Sequence, residues 1–190
     1  AGTGWWLLRG SVPRLEGELA LPGLSAPVSL QRDANGVVTI DAASGNDLAR
    51  ALGYVHAQER YFEMDLMRRS SAGELSELFG AVALNMDKER RTHRMRARVM
   101  HDLPAFVGDK LPQLQAYTDG VNAGLADLKV RPWPYLVLRQ QPKPWEVADS
   151  ALAGYAMYFD LQDSQNTREL ALARIKPQVP AALFDLLSHD

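Results

Sequence analysis

The spacing of apolar residues predicts a mainly helical chain, and the segment from Ala51 to Gly80 carries the strongest signal. Apolar residues recur there at steps of three and four, which places them on one stripe of a helix. The stripe consists of Leu48, Leu52, Val55, Phe62 and Leu66. Ser44 and Asp47, three residues apart, have the composition of a helix start. We therefore predict one long helix that starts near this pair and continues to Gly80.

One carboxylate, Glu59, falls on the same apolar stripe. It must be paired or hydrogen-bonded, because burying an unpaired charge is very costly. The cations within reach are Arg60, Arg68 and Arg69. Asp65 can also pair with Arg69, one turn further along the helix. We interpret these charges as a structural ion-pair cluster rather than as a site of chemistry.

The rest of the pattern predicts one hairpin and further helices. Val28–Ala43 alternates like a hairpin, with Ala34, Asn35 and Gly36 as its turn. Helical patterns cover Val82–Val99, Leu111–Val130, Glu146–Phe159, Arg168–Lys176 and Ala181–Leu187. The proline-rich segment Val130–Glu146 is predicted to be a loop, and Gly10–Pro27 an arm with strand pieces and turns. We divide the chain into an arm, residues 1–27, and one domain, residues 28–190.

Composition narrows the function only slightly. The 190 residues are 46% hydrophobic and 23% charged, which suffices for one sizeable core. A net charge of −2 gives no indication of a nucleic-acid surface. The basic run from Lys88 to Arg98 contains acidic neighbours and is interpreted as a solvated helix face. The absence of cysteine excludes disulfides, thiol nucleophiles and thiolate zinc sites.

No motif in the chain supplies catalysis by itself. The histidines, at positions 56, 93, 101 and 189, do not have the helical spacing of a zinc hydrolase. The sequence contains no G-x-S-x-G elbow, no P-loop and no G-x-G-x-x-G. A Ser/His/Asp triad assembled only in space remains open. His56, beside the apolar stripe, is interpreted as a hydrogen-bonded packing residue.

Four ordered blocks give the chain a recognisable resemblance. They are RDANGVVTIDA with GYVHAQERYFEMDLMRR (from Arg32 and Gly53), YTDGVNAGL (from Tyr117), PKPWEVADSALAGYAMYF (from Pro142) and ELALARI (from Glu169). In order and approximate spacing they resemble the penicillin acylase family, which are amidases of the N-terminal-nucleophile hydrolase class. One departure is visible: the family usually has Gly-Val-Pro-His where this chain has Gly-Val-Val-Thr, at positions 36–39.

The resemblance implies a function that this chain performs only with a partner. Such enzymes have an αββα fold and are made as a precursor that cuts itself into two chains. The small α subunit carries no nucleophile, so no catalytic residue is expected here. The larger β chain begins with the catalytic serine, whose α-amino group acts as the base. The substrate is an amide of an apolar acyl group, either a β-lactam or, alternatively, an acyl-homoserine lactone. A different class remains open, a non-catalytic helical binding protein or accessory subunit.

The resemblance also assigns candidate site residues. Counting from the block Trp145-Glu146-Val147-Ala148-Asp149 places Tyr158 at one acyl-pocket position, and Leu161 or Gln162 at the next. An insertion near Asp163 leaves the second position undecided, and ordinary core packing remains an alternative for all of them. Family members commonly hold a structural calcium ion between the two chains, which assigns Glu169 as a ligand and Asp163 as a weaker candidate. The alternative is that Glu169 only stabilises the helix that it opens.

The first ten residues, AGTGWWLLRG, bear on localisation. They contain no apolar run of the roughly 20 residues that a membrane span requires. Tryptophans beside leucines and an arginine are typical of a segment at a membrane interface, such as the end of a removed or truncated export segment. The alternative is a strand or hydrophobic plug on the body of the protein. The family resemblance favours export to the periplasm, with membrane contact only through this segment.

Overall fold

The computed structural model describes residues 2–162 and 167–188, the side chains of residues 3 and 6 excepted. The strands are β1 (Ser29–Arg32) and β2 (Val38–Asp41). The helices are α1 (Gly2–Gly10), α2 (Gly45–Ala72), α3 (Ser76–Phe79), α4 (Leu84–Arg91), α5 (Met95–Val107), α6 (Leu111–Asp127), α7 (Trp133–Leu138), α8 (Val147–Leu161), α9 (Thr167–Ile175) and α10 (Ala181–Ser188). The predicted fold, mainly α with a short N-terminal β-hairpin, is confirmed. None of the described helices combines the length and the apolar character needed to cross a membrane.

The long helix starts as predicted but ends earlier. Ser44 caps α2, because its side chain accepts a hydrogen bond from the Asp47 backbone N–H at 3.1 Å. The predicted continuation to Gly80 is wrong, since Gly73 adopts a left-handed conformation with φ of 71° and ends the helix. Arg60 also departs from helical geometry, with φ of −143° and ψ of 27°, and marks a kink inside α2.

Only part of the predicted apolar stripe of α2 is buried in the core. Val55 is buried and Phe62 and Leu66 are half-buried, but Leu48 and Leu52 remain exposed. The neighbouring face contacts α6 instead, and its buried members are Ala51, Tyr54, Ala57, Tyr61 and Met64. Small residues therefore occupy much of this contact, and a stripe defined by large apolar residues alone misplaces it.

Glycines explain why small residues occupy this contact. The α2 and α6 backbones lie so close that a Cβ added at Gly120 would be 1.9 Å from the Arg50 carbonyl oxygen. A Cβ at Gly53 would lie 2.2 Å from the carbonyl oxygen of Tyr117. Only residues without a side chain permit so close an approach. The predicted helix over Leu111–Val130 is confirmed, and it ends at Asp127.

The hairpin is confirmed together with its turn. The strands β1 and β2 pair antiparallel, with Ser29 opposite Asp41 and Arg32 opposite Val38. Gly36 has a φ of 81°, which glycine adopts without strain. The side chain of Asp33 accepts hydrogen bonds from the backbone N–H groups of Asn35 and Val37. These bonds fix the turn between the strands.

Two predictions about the middle of the chain need correction. The charged segment Val82–Val99 is not a single helix, because Arg94 has a φ of 53° and separates α4 from α5. The proline-rich segment Val130–Glu146 is not entirely loop, since it contains α7. Pro134 lies in the first turn of α7, where its missing N–H costs no helical hydrogen bond.

The arm runs along the body without forming a strand anywhere between residues 11 and 27. The backbone N–H of Val130 donates to the Gly10 carbonyl at 3.0 Å, and the Arg14 N–H donates to the Gln58 side chain at 3.0 Å. Near its end, the Ser25 N–H and hydroxyl donate to Asp47. The strand pieces predicted for Gly10–Pro27 are therefore wrong, although the arm is fastened to the domain. Residues 2–10 are helical, which excludes a strand as the alternative at this end.

Candidate functional site

An open cleft of about 750 Å³ lies between α5 and α8. One wall consists of His93, Met95, Arg98, Val99, Asp102, Leu103 and Phe106. The other wall consists of Ala151, Tyr155, Tyr158, Phe159 and Gln162. Its floor is apolar, because Val99, Leu103 and the fully buried Leu152 belong to one buried cluster. Such a cleft, mostly apolar with a few polar groups, suits a small ligand with an apolar part.

The α8 wall is predominantly aromatic. Tyr155 and Tyr158 contact edge to face with centroids 6.1 Å apart, and Tyr158 contacts Phe159 in the same way at 5.9 Å. Tyr155 and Phe159, four residues apart, lie on one face of α8, and Gln162 follows directly after its last residue. The wall therefore offers aromatic surface as well as the polar groups of its two tyrosines and Gln162.

The end of α4 and the turn after it contact Phe159 of this aromatic wall. The His93 ring lies 5.2 Å from Phe159, and the Arg90 guanidinium lies 4.4 Å from the Phe159 ring centroid. Phe159 therefore has a cation–π partner as well as a ring partner. The basic run is not simply a solvated face, as its composition predicts, because Arg90 and Arg96 both make specific contacts.

The structure brings two of the three predicted pocket residues to this cleft. Tyr158 and Gln162 line it, whereas Leu161 does not. Leu161 is 74% exposed, and Tyr158 is 52% exposed. Tyr158 is therefore not an ordinary core residue of this chain, since about half of its surface remains accessible.

Glu169 lies elsewhere, in the first turn of α9, and is exposed. It forms no hydrogen bond or ion pair with other residues in the described part of the chain. Across residues 2–162 and 167–188, no group of three or more His, Cys, Asp or Glu side chains is placed to hold a metal. Asp163, the weaker candidate ligand, lies outside the described residues. A calcium ion at Glu169 would therefore need most of its roughly six to eight oxygen ligands from elsewhere.

A largely buried network of charges, whose members do not line the cleft, joins α2, α5 and α8. Asp149 on α8 forms an ion pair with Arg68 on α2, and Arg96 on α5 donates to Asp149 at 3.0 Å. Arg96 also forms a two-pronged pair with Glu74, at 2.6 and 2.7 Å, and this hydrogen bond raises the pKa of Arg96. Arg68 and Asp149 are almost fully buried. The walls of the cleft are thus linked through Arg96 and Asp149.

The predicted ion-pair cluster of α2 is real but differs in its partners. Asp65 accepts from Arg68 at 2.7 Å and, as predicted, from Arg69 at 2.9 Å. Glu59 instead pairs with Arg32 of β1, at 2.5 Å. The contribution of Arg96 has no local signal in the sequence, because its partners lie 22 and 53 residues away. Asp149 does have such a signal, since it forms a capping pair with Glu146 at the start of α8.

The described histidines are engaged in contacts other than a catalytic triad. His56 is hydrogen-bonded to the Tyr117 hydroxyl at 2.9 Å, so its interpretation as a packing residue is confirmed. Burial, together with the nearby Arg60 charge, lowers the pKa of His56, and burial raises the pKa of Tyr117 to about 12. Among the described residues, no serine hydroxyl is hydrogen-bonded to a histidine.

Comparison with known proteins identifies the family. The sequence model described as penicillin amidase matches residues 27–189. The chain is 42% identical over 139 residues to the penicillin acylase 2 proenzyme of Pseudomonas sp. (strain SE83), a match that covers 73% of the chain and 18% of the proenzyme. It is 31% identical over 177 residues to the acyl-homoserine lactone acylase QuiP of Pseudomonas fluorescens, covering 90% of the chain and 22% of that protein.

A solved structure gives the same result. The thermostable penicillin G acylase from Alcaligenes faecalis superimposes with a TM-score of 0.68 at 26% sequence identity, covering 86% of this chain and 93% of that one. The chain spans about a fifth of the length of the curated relatives. It belongs to the penicillin amidase family.

Proposed function

We propose that this chain is the small, α subunit of a self-processed amidase that hydrolyses the amide between an apolar acyl group and an amine. The observation that carries the proposal is the aromatic cleft between α5 and α8, which Tyr158 and Gln162 line. The chain covers 93% of one solved penicillin G acylase chain but 18% of a relative named as a proenzyme. That difference supports a separate small chain released from a longer precursor.

In this proposal the chemistry belongs to a larger β chain. Its N-terminal serine attacks the amide carbonyl, and the α-amine, with a pKa of about 8, accepts the hydroxyl proton. That proton passes to the departing amine, and water then releases the acyl group from the serine. The present chain contributes binding: the rings of Tyr155, Tyr158 and Phe159 contact the acyl group, and Gln162 offers a polar group at the cleft.

The unpartnered apolar surface supports the existence of a second chain. Large apolar side chains are exposed on several elements, among them Val82 at 87%, Val137 at 71% and Leu186 at 73%. On α10, Leu183, Leu186 and Leu187 are all exposed and recur at steps of three and four residues. A contiguous apolar surface of this kind usually marks a contact with another protein. A non-catalytic helical binding or accessory subunit would also expose apolar surface to a partner. Amide hydrolysis by the two-chain protein distinguishes the amidase from such a subunit.

The relatives favour two substrate groups for the same reaction. One relative is named as a penicillin acylase and others as acyl-homoserine lactone acylases, and the latter match up to 90% of the chain. Both groups are acylated amines, and they differ in the acyl part that the cleft would contact. Acyl-homoserine lactones are therefore the second candidate substrate.

Substitution of Tyr158 tests the role of the cleft. Tyr158→Ala should change the relative kcat/KM values for aromatic, short aliphatic and long aliphatic acyl groups more than it changes the best of them. Leu161→Ala is the matched control, because Leu161 lies on the same helix but outside the cleft. Equal loss for all acyl groups in Tyr158→Ala, or the same change in Leu161→Ala, would contradict the assignment.

We also propose that Glu169 supplies one oxygen ligand to a structural calcium ion shared with the β chain. The support is its exposed carboxylate in the first turn of α9, which has no partner within the described part of the chain. A chelator should lower the Tm of the wild type and leave that of Glu169→Gln nearly unchanged. If Glu169 only stabilises its helix, Glu169→Gln should cost about 0.3–1 kcal/mol with or without the chelator.

The same family relationship leads us to propose a periplasmic location and a domain of residues 28–190 that the β chain completes. Osmotic-shock fractionation of the producing cells tests the location. Recovery of the processed protein with the cytoplasmic markers would contradict it.

A further inference from the structure

A second groove, remote from the α5–α8 cleft, lies where the arm meets the end of α6. Its volume is about 710 Å³. It is lined by Trp5, Arg9, Gly10, Val12, Pro13, Arg14, Gln58, Asp127, Leu128 and Lys129. The proposed amidase function uses none of these residues. The groove therefore requires its own explanation.

The charges around this groove are mostly positive. Arg9, Arg14 and Lys129 are exposed and have no carboxylate partner among the described residues. The only carboxylate in the groove lining, Asp127, accepts a hydrogen bond from the Tyr54 hydroxyl at 2.6 Å. The chain as a whole has a net charge of −2, so this cationic patch contrasts with its average.

Exposed apolar side chains accompany the cations. Trp5 is 61% exposed, Leu8 57% and Val12 57%, although neighbouring residues are fastened to the domain. The Arg9 guanidinium lies 4.9 Å from the Trp5 ring centroid. Tryptophan and leucine beside basic residues are typical of segments that lie at the surface of a bilayer. Protein interfaces are also enriched in tryptophan and arginine, but they are depleted in lysine and in charge at their centres, so three cations without a carboxylate partner in the described part of the chain together favour a lipid surface.

The patch is held in place by the rest of the fold. Gly10 accepts from the Val130 N–H, and the Ser11 hydroxyl donates to the Arg131 carbonyl at 2.8 Å. Arg14 is fixed through its backbone by Gln58. The apolar side chains and the cations are thus presented together, so little ordering would be required when a flat surface is bound.

We propose that Trp5, Leu8, Arg9, Arg14 and Lys129 form a surface that docks the protein onto an anionic lipid bilayer. Trp5 and Leu8 enter the headgroup region, while the three cations contact lipid phosphates. Each cation near an anionic surface contributes about fivefold in binding. The surface does not depend on the amidase proposal, since it uses other residues and another ligand.

Vesicle flotation of the protein as isolated, with any partner chain that it retains, tests this surface. Wild type should float with vesicles that contain phosphatidylglycerol, bind neutral phosphatidylcholine vesicles at least tenfold more weakly, and lose the difference at high salt. Trp5→Ser/Leu8→Ser and Arg9→Gln/Arg14→Gln/Lys129→Gln should each reduce binding by tenfold or more. The matched controls, Val37→Ser/Met100→Ser and Lys88→Gln/Lys110→Gln/Arg139→Gln, alter as many exposed residues elsewhere and should bind like wild type.

Several outcomes would overturn the proposal. One is equal binding to neutral and anionic vesicles, and another is the same loss in the control variants as in the patch variants. Absence of flotation by a folded wild type would show that something other than lipid covers the patch. Competition by free glycerol phosphate at low concentration would indicate a site for a small anion instead of a bilayer. Amidase activity, measured in parallel on soluble substrate, reports separately on the proposed function.

Discussion

The backbone contact between α2 and α6 predicts a large effect of a very small substitution, Gly120→Ala. The added Cβ would lie 1.9 Å from the Arg50 carbonyl oxygen and 2.8 Å from its carbonyl carbon. Both atoms belong to the backbone of α2, so neither can rotate away as a side chain would. Ordinary contact begins at 3.4 Å, and therefore the two helices must separate by more than an ångström.

The cost follows from what this separation disturbs. The residues behind the contact are the core of the domain, including the fully buried Val121 and Tyr61. Overpacking such a core costs about 1–3 kcal/mol, occasionally more, and here both sides are rigid. Alanine is favoured over glycine in a helix by about 1 kcal/mol, which offsets part of the cost. We expect a net loss of about 2 kcal/mol, or a decrease in Tm of about 4–8 °C.

The matched control is Gly154→Ala, the same change in the middle of α8. No atom lies within 4 Å of a Cβ added there, so the helix preference should appear alone, as neutral or slightly higher stability. Thermal and urea unfolding of the protein as isolated measure both variants. An unchanged or raised Tm for Gly120→Ala would refute the close contact. Equal losses in the two variants would mean that glycine flexibility, rather than proximity, is what matters.

Three further predictions concern charge, pH and assembly. Asp149→Asn should lower stability by about 1.5–3 kcal/mol, because Arg68 and Arg96 lose a buried carboxylate and keep only Asp65 and Glu74. Asp119→Asn, which breaks a more exposed pair with Arg50, should cost less than about 1 kcal/mol, and similar losses would contradict a buried network. Because the pKa of His56 is lower in the folded than in the unfolded chain, the unfolded chain binds the proton first as pH falls below 6.5, so stability should decrease there and level off below the folded pKa. His56→Gln should remove this part of the pH dependence of the unfolding free energy, and an identical pH profile would exclude the effect. Produced without a partner chain, the protein should aggregate or unfold without cooperativity, and a monodisperse, cooperatively folding monomer would contradict a subunit role.

The sequence predicted the elements whose signals are local. The cap at Ser44, the turn at Gly36 and the starts of α8 and α10 depend on neighbouring residues, and each is found close to its predicted place. The sequence does not predict the end of α2 at Gly73, because the apolar pattern continues beyond this glycine. The fold also requires a glycine at this position, because a Cβ at Gly73 would lie 2.7 Å from the Asp87 carbonyl oxygen.

The sequence also does not show which face of α2 is buried. Apolar spacing shows that a helix has a stripe, but the partner decides which side of it is buried. Glycines on α6 admit the small residues of α2, so Leu48 and Leu52 remain outside. The candidate site shows the same limit, since Tyr158 and Gln162 follow from counting along one helix. The opposite wall, from α5, has no sequence signal because it meets α8 only through long-range contacts.

The buried ion pairs explain how the side chains that line the cleft can change while α5 and α8 keep their positions. Buried ion pairs contribute little net stability compared with apolar packing of the same volume, but their geometry is specific. Here Arg96 and Asp149 link α5 to α8 without lining the cleft, whereas Tyr155, Tyr158 and Phe159 line it. The distance between the walls therefore does not depend on the size of Tyr155 or Tyr158. Such side chains can change the shape of the cleft, and with it the preferred acyl group, without loosening the helices that carry them.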